Sequence, residues 1–432
     1  MLNTHNIFYQ KKILIYGLGK SGLSTFKFLS EKSEIYLFDD KKSKSKNKKI
    51  KESIIGYKKL LKKNIDYIII SPGIDIHKCT LAKFLKDNVK KIYTDLDIFF
   101  YHYIKNKKIT ITGTNGKSTT AKVLYEVLKD QKKDVRLVGN IGNPILLEKN
   151  ITKKTIFVIE ASSYQLEYSR IFKSNISAIL NISPDHLERH KTLKNYINAK
   201  FKLIKNQTKK DYAILNTNNF YIKREIKIHK FLPKLIKIDK NVDIKILKKI
   251  NNPYFNTEGN KANLAFILNI AKILKVKKNS LFRSLRKFKG LRYRQQIIHQ
   301  SNDLTIINDS KATSFSSSES ILKSLSNVYW IVGGLPKKQD KFTLSKNNCK
   351  SFKAYIFGKN KNFFINELKD VIKHESFLDL KSSIKKIIQD IKIDKFQTHK
   401  TILFSPASAS FDDFKNFEER GEYFSNLIKK YR

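Results

Sequence analysis

Residues 109 to 119 read Ile-Thr-Ile-Thr-Gly-Thr-Asn-Gly-Lys-Ser-Thr, and a chain carrying that stretch is committed to a strand, a tight loop and a helix in immediate succession. The β-branched run Ile109 to Thr112 enters a Gly113-Thr114-Asn115-Gly116 turn, which leaves through Lys117-Ser118-Thr119 into a helix expected over residues 119 to 129. Such a loop is suited to phosphate. Glycines let the backbone come close, the N–H groups and the positive end of the helix face anionic oxygens, Lys117 adds a point charge, and Ser118 offers a hydroxyl to Mg²⁺. A nucleoside triphosphate is the expected ligand. The full pattern G-x-x-x-x-G-K-[ST] wants glycine at 111, where Ile111 stands, so the stretch alone could also be an ordinary Gly-Lys turn.

A second loop of related design lies near the start of the chain. A strand at Ile13 to Tyr16 leads into Gly17-Leu-Gly19-Lys-Ser21-Gly22 and a helix to about Ser30; a strand at Ile35 to Phe38 then ends at Asp39-Asp40. That is the spacing of a Rossmann fingerprint, in which the acidic residue takes a ribose hydroxyl. It says nucleotide or dinucleotide and no more. Tyr67 to Ile70 is a buried-type strand delivering Ser71-Pro72-Gly73-Ile74 at its C-terminal end, where ligand loops sit in open α/β sheets, although an ordinary turn would read the same. The lysine run from 41 to 51 is expected to be a solvated loop.

Beyond Asp95 the strand-and-helix pattern restarts around the 113–119 loop, and three strands in a row end in polar chemistry. The first presents Lys117 and Ser118. Ile156 to Ile159 presents Glu160 and Ser162-Ser163, and Ile176 to Ile182 presents Ser183-Pro-Asp185-His186. In a parallel sheet these ends line one crevice, so a carboxylate and an imidazole would face the phosphates, suited to Mg²⁺ ligation or proton transfer. Taken singly, Glu160 could cap a helix and His186 could be structural. In the next helix, Leu193, Tyr196, Ile197, Lys200, Phe201 and Ile204 follow helical spacing, so Lys200 lies on the apolar stripe while Lys202 and Lys205 point elsewhere. A lysine there must be paired, shifted in pKa or modified, or else snorkel from the stripe's edge.

Residues 218 to 250 look basic and irregular, and Asn260-Lys-Ala-Asn263 opens an amphipathic helix through Ala271, with Asn263 able to present an amide to a base edge. Phe288 to Arg294 reads as a hinge into a third α/β region. Its strands, Leu304 to Ile307, Val328 to Val332 and Thr401 to Phe404, end in Asn308-Asp309-Ser310-Lys311-Ala312-Thr313, Gly333-Gly334-Leu-Pro-Lys337 and Ser405-Pro-Ala-Ser-Ala-Ser410. The helix expected after the last carries Phe411, Phe414 and Phe417 as core, with Arg420-Gly421 at its end. A chain of 432 residues fits two to four domains at roughly 100 to 200 residues each. We place them at 1–94, 95–289 and 290–432.

Composition narrows the class further. The net charge of +49 invites a nucleic-acid partner. But the excess is nearly all lysine, scattered through every segment beside abundant Ile and Asn, with one Met and one Trp, which reads as compositional drift and a solvated surface. We expect no nucleic acid. Cys79 and Cys349 have no C-x-x-C spacing, so neither disulfide framework nor zinc cluster is supported, and a cytoplasmic location is expected. No apolar run reaches the length of a membrane span, so no membrane insertion is expected.

With these motifs in place the chain resembles the Mur ligases over nearly its whole length. Gly-Thr-Asn-Gly-Lys-Ser-Thr from Gly113 is similar to that family's ATP loop, which explains Ile111, and Glu160-Ala-Ser-Ser-Tyr-Gln-Leu, Asn181 to His186 and Asn308 to Thr313 match further family motifs. The segment Ser405 to Gly421 resembles the members that add D-glutamate, and the Asp-Asn-Pro-Arg signature of diaminopimelate-adding relatives is missing. The resemblance implies an α/β fold of three domains: a Rossmann-like N-terminal domain holding a UDP-sugar peptide, a central P-loop-type ATPase domain with a mostly parallel sheet, and a Rossmann-like C-terminal domain. It implies ATP-dependent addition of D-glutamate to UDP-N-acetylmuramoyl-L-alanine through an acyl phosphate, in cytoplasmic steps of peptidoglycan synthesis, by a monomer. The ATP loop would be Gly113, Thr114, Asn115, Gly116, Lys117, Ser118 and Thr119, with Asn263, Arg294 and Asp309 also at ATP. Gly19, Ser21, Gly22, Asp39, Ser71 and Asn140 would bind the UDP substrate, and Thr313, Lys337, Ser410 and Phe417 the D-glutamate. Ser118, Glu160, His186 and Lys200 would hold two Mg²⁺ ions, Lys200 as a carbamate, with Lys117, His186, Lys200 and Lys311 catalytic. Other readings are another Mur ligase, a folylpolyglutamate synthase, a nucleic-acid-binding protein or an NAD-dependent dehydrogenase built on Gly17, Gly19 and Gly22.

Overall fold

Apolar β-branched runs alternate with helices, and the computed structural model gathers the runs into three sheets. It describes residues 6–41, 47–239, 242–337, 340–394 and 398–431. By packing, the chain forms two units, residues 1–240 with 265–281, and residues 241–264 with 282–432.

The first unit holds two parallel sheets. One consists of β1 (Lys12–Tyr16), β2 (Glu34–Phe38), β3 (Tyr67–Ile70) and β4 (Ile92–Tyr93), in the order β2-β1-β3-β4. The other consists of β5 (Lys107–Thr112), β6 (Val135–Gly139), β7 (Ile156–Glu160), β8 (Ile176–Ile179), β9 (Tyr212–Asn216) and β10 (Lys234–Ile238). Its order is β10-β9-β8-β5-β7-β6, so β5 lies between β7 and β8 and the three polar strand ends are neighbours.

A single apolar core runs from Phe8, Ile13 and Ile15 of the first sheet to Phe157 and Ile159 of the second. The helix Asp95–His102 links them, with Phe99 edge-on to Phe157 at 4.7 Å. That helix starts in a capping box: Asp97 accepts the Thr94 amide at 2.9 Å. The other Asp97 oxygen accepts the Ser169 hydroxyl and the amides of Arg170, Ile171 and Phe172 at 2.9 to 3.0 Å, pinning a loop that follows β7. Lys108 is a buried lysine inside β5. Its ammonium donates to the carbonyls of Tyr103 and Asn106, and burial pushes its pKa down to about 7.

The second unit carries β11 (Gln296–Gln300), β12 (Leu304–Asn308), β13 (Val328–Gly333), β14 (Phe352–Phe357), β15 (Lys373–Phe377) and β16 (Lys400–Phe404). Their order is β11-β12-β16-β13-β14-β15, parallel except for β11, an antiparallel edge strand absent from the sequence reading. Apolar side chains cover both faces of this sheet. Trp330 is wholly buried, and its indole N–H donates to the Ser405 carbonyl at 2.8 Å.

Several local expectations need correction. Residues 218 to 250 are not irregular: they form the helix Phe220–Ile228, strand β10 and the helix Ile244–Ile250. Lysines on the exposed side of each short element had masked the pattern. Strand β8 ends at Ile179, three residues early, because Asn181 turns towards the phosphate loop. The last helix begins at Phe417, so Phe411 and Phe414 precede it, Phe411 is 72% exposed, and Arg420 lies in the first turns of that helix instead of at its end. In the lysine run, residues 48 to 53 form a helix capped by Asn47, while residues 42–46 lie outside the described residues.

Candidate active site

The loop between β5 and the helix Lys117–Asp130 is built by two left-handed glycines, Gly113 at φ +155° and Gly116 at φ +83°, conformations a side chain would strain. Asn181 locks it from the neighbouring strand end. Its side-chain oxygen accepts the Asn115 amide at 2.8 Å and its side-chain nitrogen donates to the Asn115 carbonyl at 3.1 Å. Thr114 adds a hydroxyl bond to Tyr196 at 3.0 Å and accepts the Ser183 amide at 3.0 Å. Ser118 and Thr119 are buried in the first helical turn. Sequence reading placed Asn181 inside a motif without giving it this role.

Two lysines meet on the loop. The Lys117 ammonium donates to the carbonyls of Gly113 at 2.9 Å and Thr114 at 2.7 Å, and Lys200 donates to the same Gly113 carbonyl at 2.8 Å. Lys200 is buried on its helix Leu193–Lys205, with its ammonium 4.5 Å from the centroid of the Tyr196 ring. Burial first, and the Lys117 charge second, hold its pKa well below the ordinary lysine value, against the pull of Asp185 and Glu160. Glu160 is buried at the end of β7. One carboxylate oxygen accepts the Asn140 side-chain N–H at 2.7 Å, and the other has no hydrogen-bond partner among the described residues. Asn140, read from the sequence as a substrate contact, thus faces Glu160 in the structure.

His186 is half-exposed and left-handed at φ +56°, at the start of the short helix Leu187–His190. Its ring approaches Asp185 at 3.4 Å and Glu188 at 3.6 Å, and its centroid lies 4.9 Å from that of the tilted Tyr164 ring.

At the first sheet, a Cβ on Gly22 would fall 1.8 Å from the Gly17 carbonyl, so helix and turn are in contact there and only glycine fits. The Ser71 hydroxyl donates to that carbonyl at 2.6 Å, and Asp39 accepts the amides of Leu18 at 2.5 Å and Lys41 at 2.8 Å. Gly19 precedes the helix Lys20–Leu29 and has open space where a Cβ would lie. Ser21 faces Asp95, a buried carboxyl that burial raises to about 6 while the Ser21 hydroxyl and the Leu96 amide pull it back.

In the second unit the ends of β12, β16 and β13 are neighbours. Lys311 sits 3.8 Å over the ring of Phe417, with the Arg294 guanidinium 5.9 Å from it. Leu335 and Ala409 exchange backbone hydrogen bonds of 3.1 and 2.9 Å, which lays the segment of Lys337 beside buried Ser410. Thr313 follows Lys311 at the β12 end, half-buried. Arg420 is wholly buried and binds both loops: Nε reaches the Ser310 hydroxyl at 3.1 Å, Nη2 the carbonyls of Ser310 at 2.7 Å and Ser408 at 2.9 Å, and Nη1 that of Ala409 at 3.1 Å. Asn263 is buried on the helix Glu258–Ile273, its amide 3.4 Å from the Asn260 side-chain oxygen.

Asp309 gives a pH prediction. Burial lifts its carboxyl from 3.8 to about 7, against bonds from the Gln295 amide and the Ser405 hydroxyl, both 3.0 Å, and the Arg294 charge. The folded state therefore keeps a proton that the unfolded chain releases, and its stabilising contribution is lost as pH rises from about 4 through about 7. We expect stability to fall by a few kcal/mol, as an order of magnitude, across that window and Asp309→Asn to flatten the slope. Urea unfolding at about pH 5 and about pH 8 measures it.

Comparison with known proteins matches residues 111–279 to the Mur ligase middle domain and residues 11–93 to the Mur ligase MurD-like N-terminal domain. The chain is 34% identical to the UDP-N-acetylmuramoylalanine–D-glutamate ligase of Rickettsia felis, over 100% of this chain and 99% of the relative. It is 32% identical to the ligase of the same name from Aquifex aeolicus, over 97% and 98%. Among solved structures it is similar in fold to the UDP-N-acetylmuramate-alanine ligase of Thermotoga maritima, with a TM-score of 0.54 at 15% identity over 98% of this chain and 100% of that one. The MurF ligase of Thermotoga maritima in complex with ADP gives a TM-score of 0.53 at 16% identity, over 87% and 92%.

Proposed function

The chain belongs to the Mur ligase family, and from that premise we propose that it joins D-glutamate to UDP-N-acetylmuramoyl-L-alanine at the expense of ATP. The observation that carries this reading is the meeting of Lys117 and Glu160, at the ends of the adjacent strands β5 and β7, with Lys200, which reaches the Gly113 carbonyl from its helix, in a chain matched over 97% or more of its length by ligases named for that activity. A carboxylate oxygen of the alanyl group attacks the γ-phosphorus, ADP leaves, and the D-glutamate amine then displaces phosphate from the acyl phosphate to give the amide. Charge must be neutralised in the first step and an amine held near a carbonyl in the second.

The residue roles follow from placement. Lys117 now rests on its own loop's carbonyls; a triphosphate would offer it better acceptors. Glu160 has a buried oxygen without a partner among the described residues, which suits a divalent cation, and Asn140 holds the other oxygen so that the carboxylate cannot turn away. Ser118 with Glu160 would hold one Mg²⁺, His186 and Lys200 the second. When bound, the ions supply positive charge to the phosphate oxygens. Lys200 fits such a site only without its own positive charge. Its depressed pKa favours the neutral amine, the form that adds CO₂ with loss of a proton, and a carbamate there would turn repulsion from Lys117 into attraction.

Gly19, Ser21, Gly22, Asp39 and Ser71 would frame the UDP, in a domain of residues 1–94 followed by 95–289 and 290–432. Asn263, Arg294, Asp309 and Lys311 would serve ATP and the acyl phosphate, and Thr313, Lys337, Ser410 and Phe417 the D-glutamate. We set the reaction in the cytoplasm, and no described helix is long and apolar enough to cross a membrane. With ATP, Mg²⁺, UDP-N-acetylmuramoyl-L-alanine and D-glutamate, the protein is expected to release phosphate in step with amide product. Phosphate release that ignores D-glutamate would contradict the second step.

A further inference from the structure

We propose that Arg189 is a positioning residue that sets the distance between the loop gripping the UDP end of the substrate and the groups that handle its carboxylate. The inference rests on the function proposed above. Arg189 lies on the one-turn helix Leu187–His190, bracketed by two left-handed residues that are not glycine, His186 at φ +56° and Lys191 at φ +65°. Such a backbone is strained in a residue with a side chain and persists only where its surroundings fix it.

The surroundings here are polar and nearly closed. The Arg189 guanidinium donates to the carbonyl of Ile74, in the loop that follows β3 and contains Ser71. It also holds Glu167 through Nε at 3.0 Å and Nη2 at 2.9 Å. Its carbon lies 5.4 Å from the centroid of the Tyr164 ring and 5.7 Å from that of Tyr168. The other Glu167 oxygen faces His190 at 3.5 Å, and His190 reaches the Ser163 hydroxyl at 3.0 Å. Lys191 adds a weaker tie to Asp75 at 3.8 Å.

One side chain therefore ties together the segments that follow three strands of two sheets: the β3 loop at Ile74, the end of the helix Ser163–Glu167 that follows β7, and its own segment after β8. The β3 end carries Ser71, the β7 end carries Glu160 and Ser163, and the β8 segment carries His186. The substrate is held at its nucleotide end and must deliver a carboxylate to the phosphate loop, so any slack between these ends becomes an error in the reacting distance. A planar fork with several donors, packed by aromatic rings, removes that slack; a lysine offers one flexible point charge. A misplacement of about 1 Å costs about 10²-fold in rate.

The test compares full-length wild type with Arg189→Ala, Arg189→Lys and Glu167→Gln. The readouts are kcat and KM for UDP-N-acetylmuramoyl-L-alanine and for ATP, ADP affinity by calorimetry, and thermal unfolding. For Arg189→Ala we expect kcat/KM for the UDP substrate to fall about 10²-fold while ADP affinity stays within about twofold. Arg189→Lys should recover part of that loss, and Glu167→Gln, which keeps the guanidinium, should lose less and melt normally. Two results overturn the proposal: unimpaired kcat/KM in Arg189→Ala, or equal loss of ADP and UDP-substrate binding in all three variants. A wild type that forms no product with these substrates contradicts the assigned reaction instead.

Discussion

Lys200→Ala is expected to lower turnover by about 10³-fold or more while the protein still folds. The two consequences come from one observation, the burial of Lys200 against the Gly113 carbonyl with Lys117 sharing the same acceptor. A lysine kept for stability would not be placed there. Because its folded pKa lies below the unfolded value, folding expels a proton, and stability rises with pH between the two values. The residue thus opposes folding at neutral pH, and Lys200→Met should melt no lower than wild type. Activity should behave in the opposite way. If Lys200 works as a carbamate, labelled bicarbonate should give a carbamate resonance in wild type that Lys200→Ala lacks, and stripping dissolved CO₂ should slow turnover reversibly. An active Lys200→Ala enzyme would end the metal-binding role proposed for Lys200.

Arg420→Ala should be the most destabilising single change in the second unit. Its guanidinium is buried and joins the β12 loop to the β16 loop, and truncation leaves the Ser310, Ser408 and Ala409 carbonyls without these donors. Each buried polar group so orphaned costs about 1 to 3 kcal/mol, so a loss of about 3 kcal/mol or more is expected. Those loops carry Lys311 and Ser410, so the D-glutamate KM should rise even in the milder Arg420→Lys, whose single ammonium cannot span both. Denaturant unfolding followed by initial rates at varied D-glutamate separates the two effects. A wild-type midpoint for Arg420→Ala would contradict the clamp.

The sequence made the site's strand ends legible because β5, β7 and β8 are apolar runs stopped by chemistry, as at Ile109 to Thr112 before Gly113, and because helical spacing put Lys200 on a buried stripe. What it hid has physical causes. β11 is an amphipathic edge strand with polar ends, Gln296 and Gln300, and β10 is broken by Lys234 and Lys237, so neither shows a buried run. Arg189 and Arg420 act through carbonyls from distant segments, Ile74 for one and Ser310 for the other, and backbone acceptors leave no mark in a sequence. Nothing in the chain order brings Asn140 to Glu160; the parallel pairing of β6 with β7 does so.

We propose a two-metal ligase site selective for D-glutamate, built around the 113–119 loop. Phosphate release with ATP, Mg²⁺ and UDP-N-acetylmuramoyl-L-alanine, in parallel with D-glutamate, L-glutamate, lysine or diaminopimelate, tests it most directly. Release is expected with D-glutamate and little with the others. Equal release with any of them, or release without the UDP substrate, would contradict it.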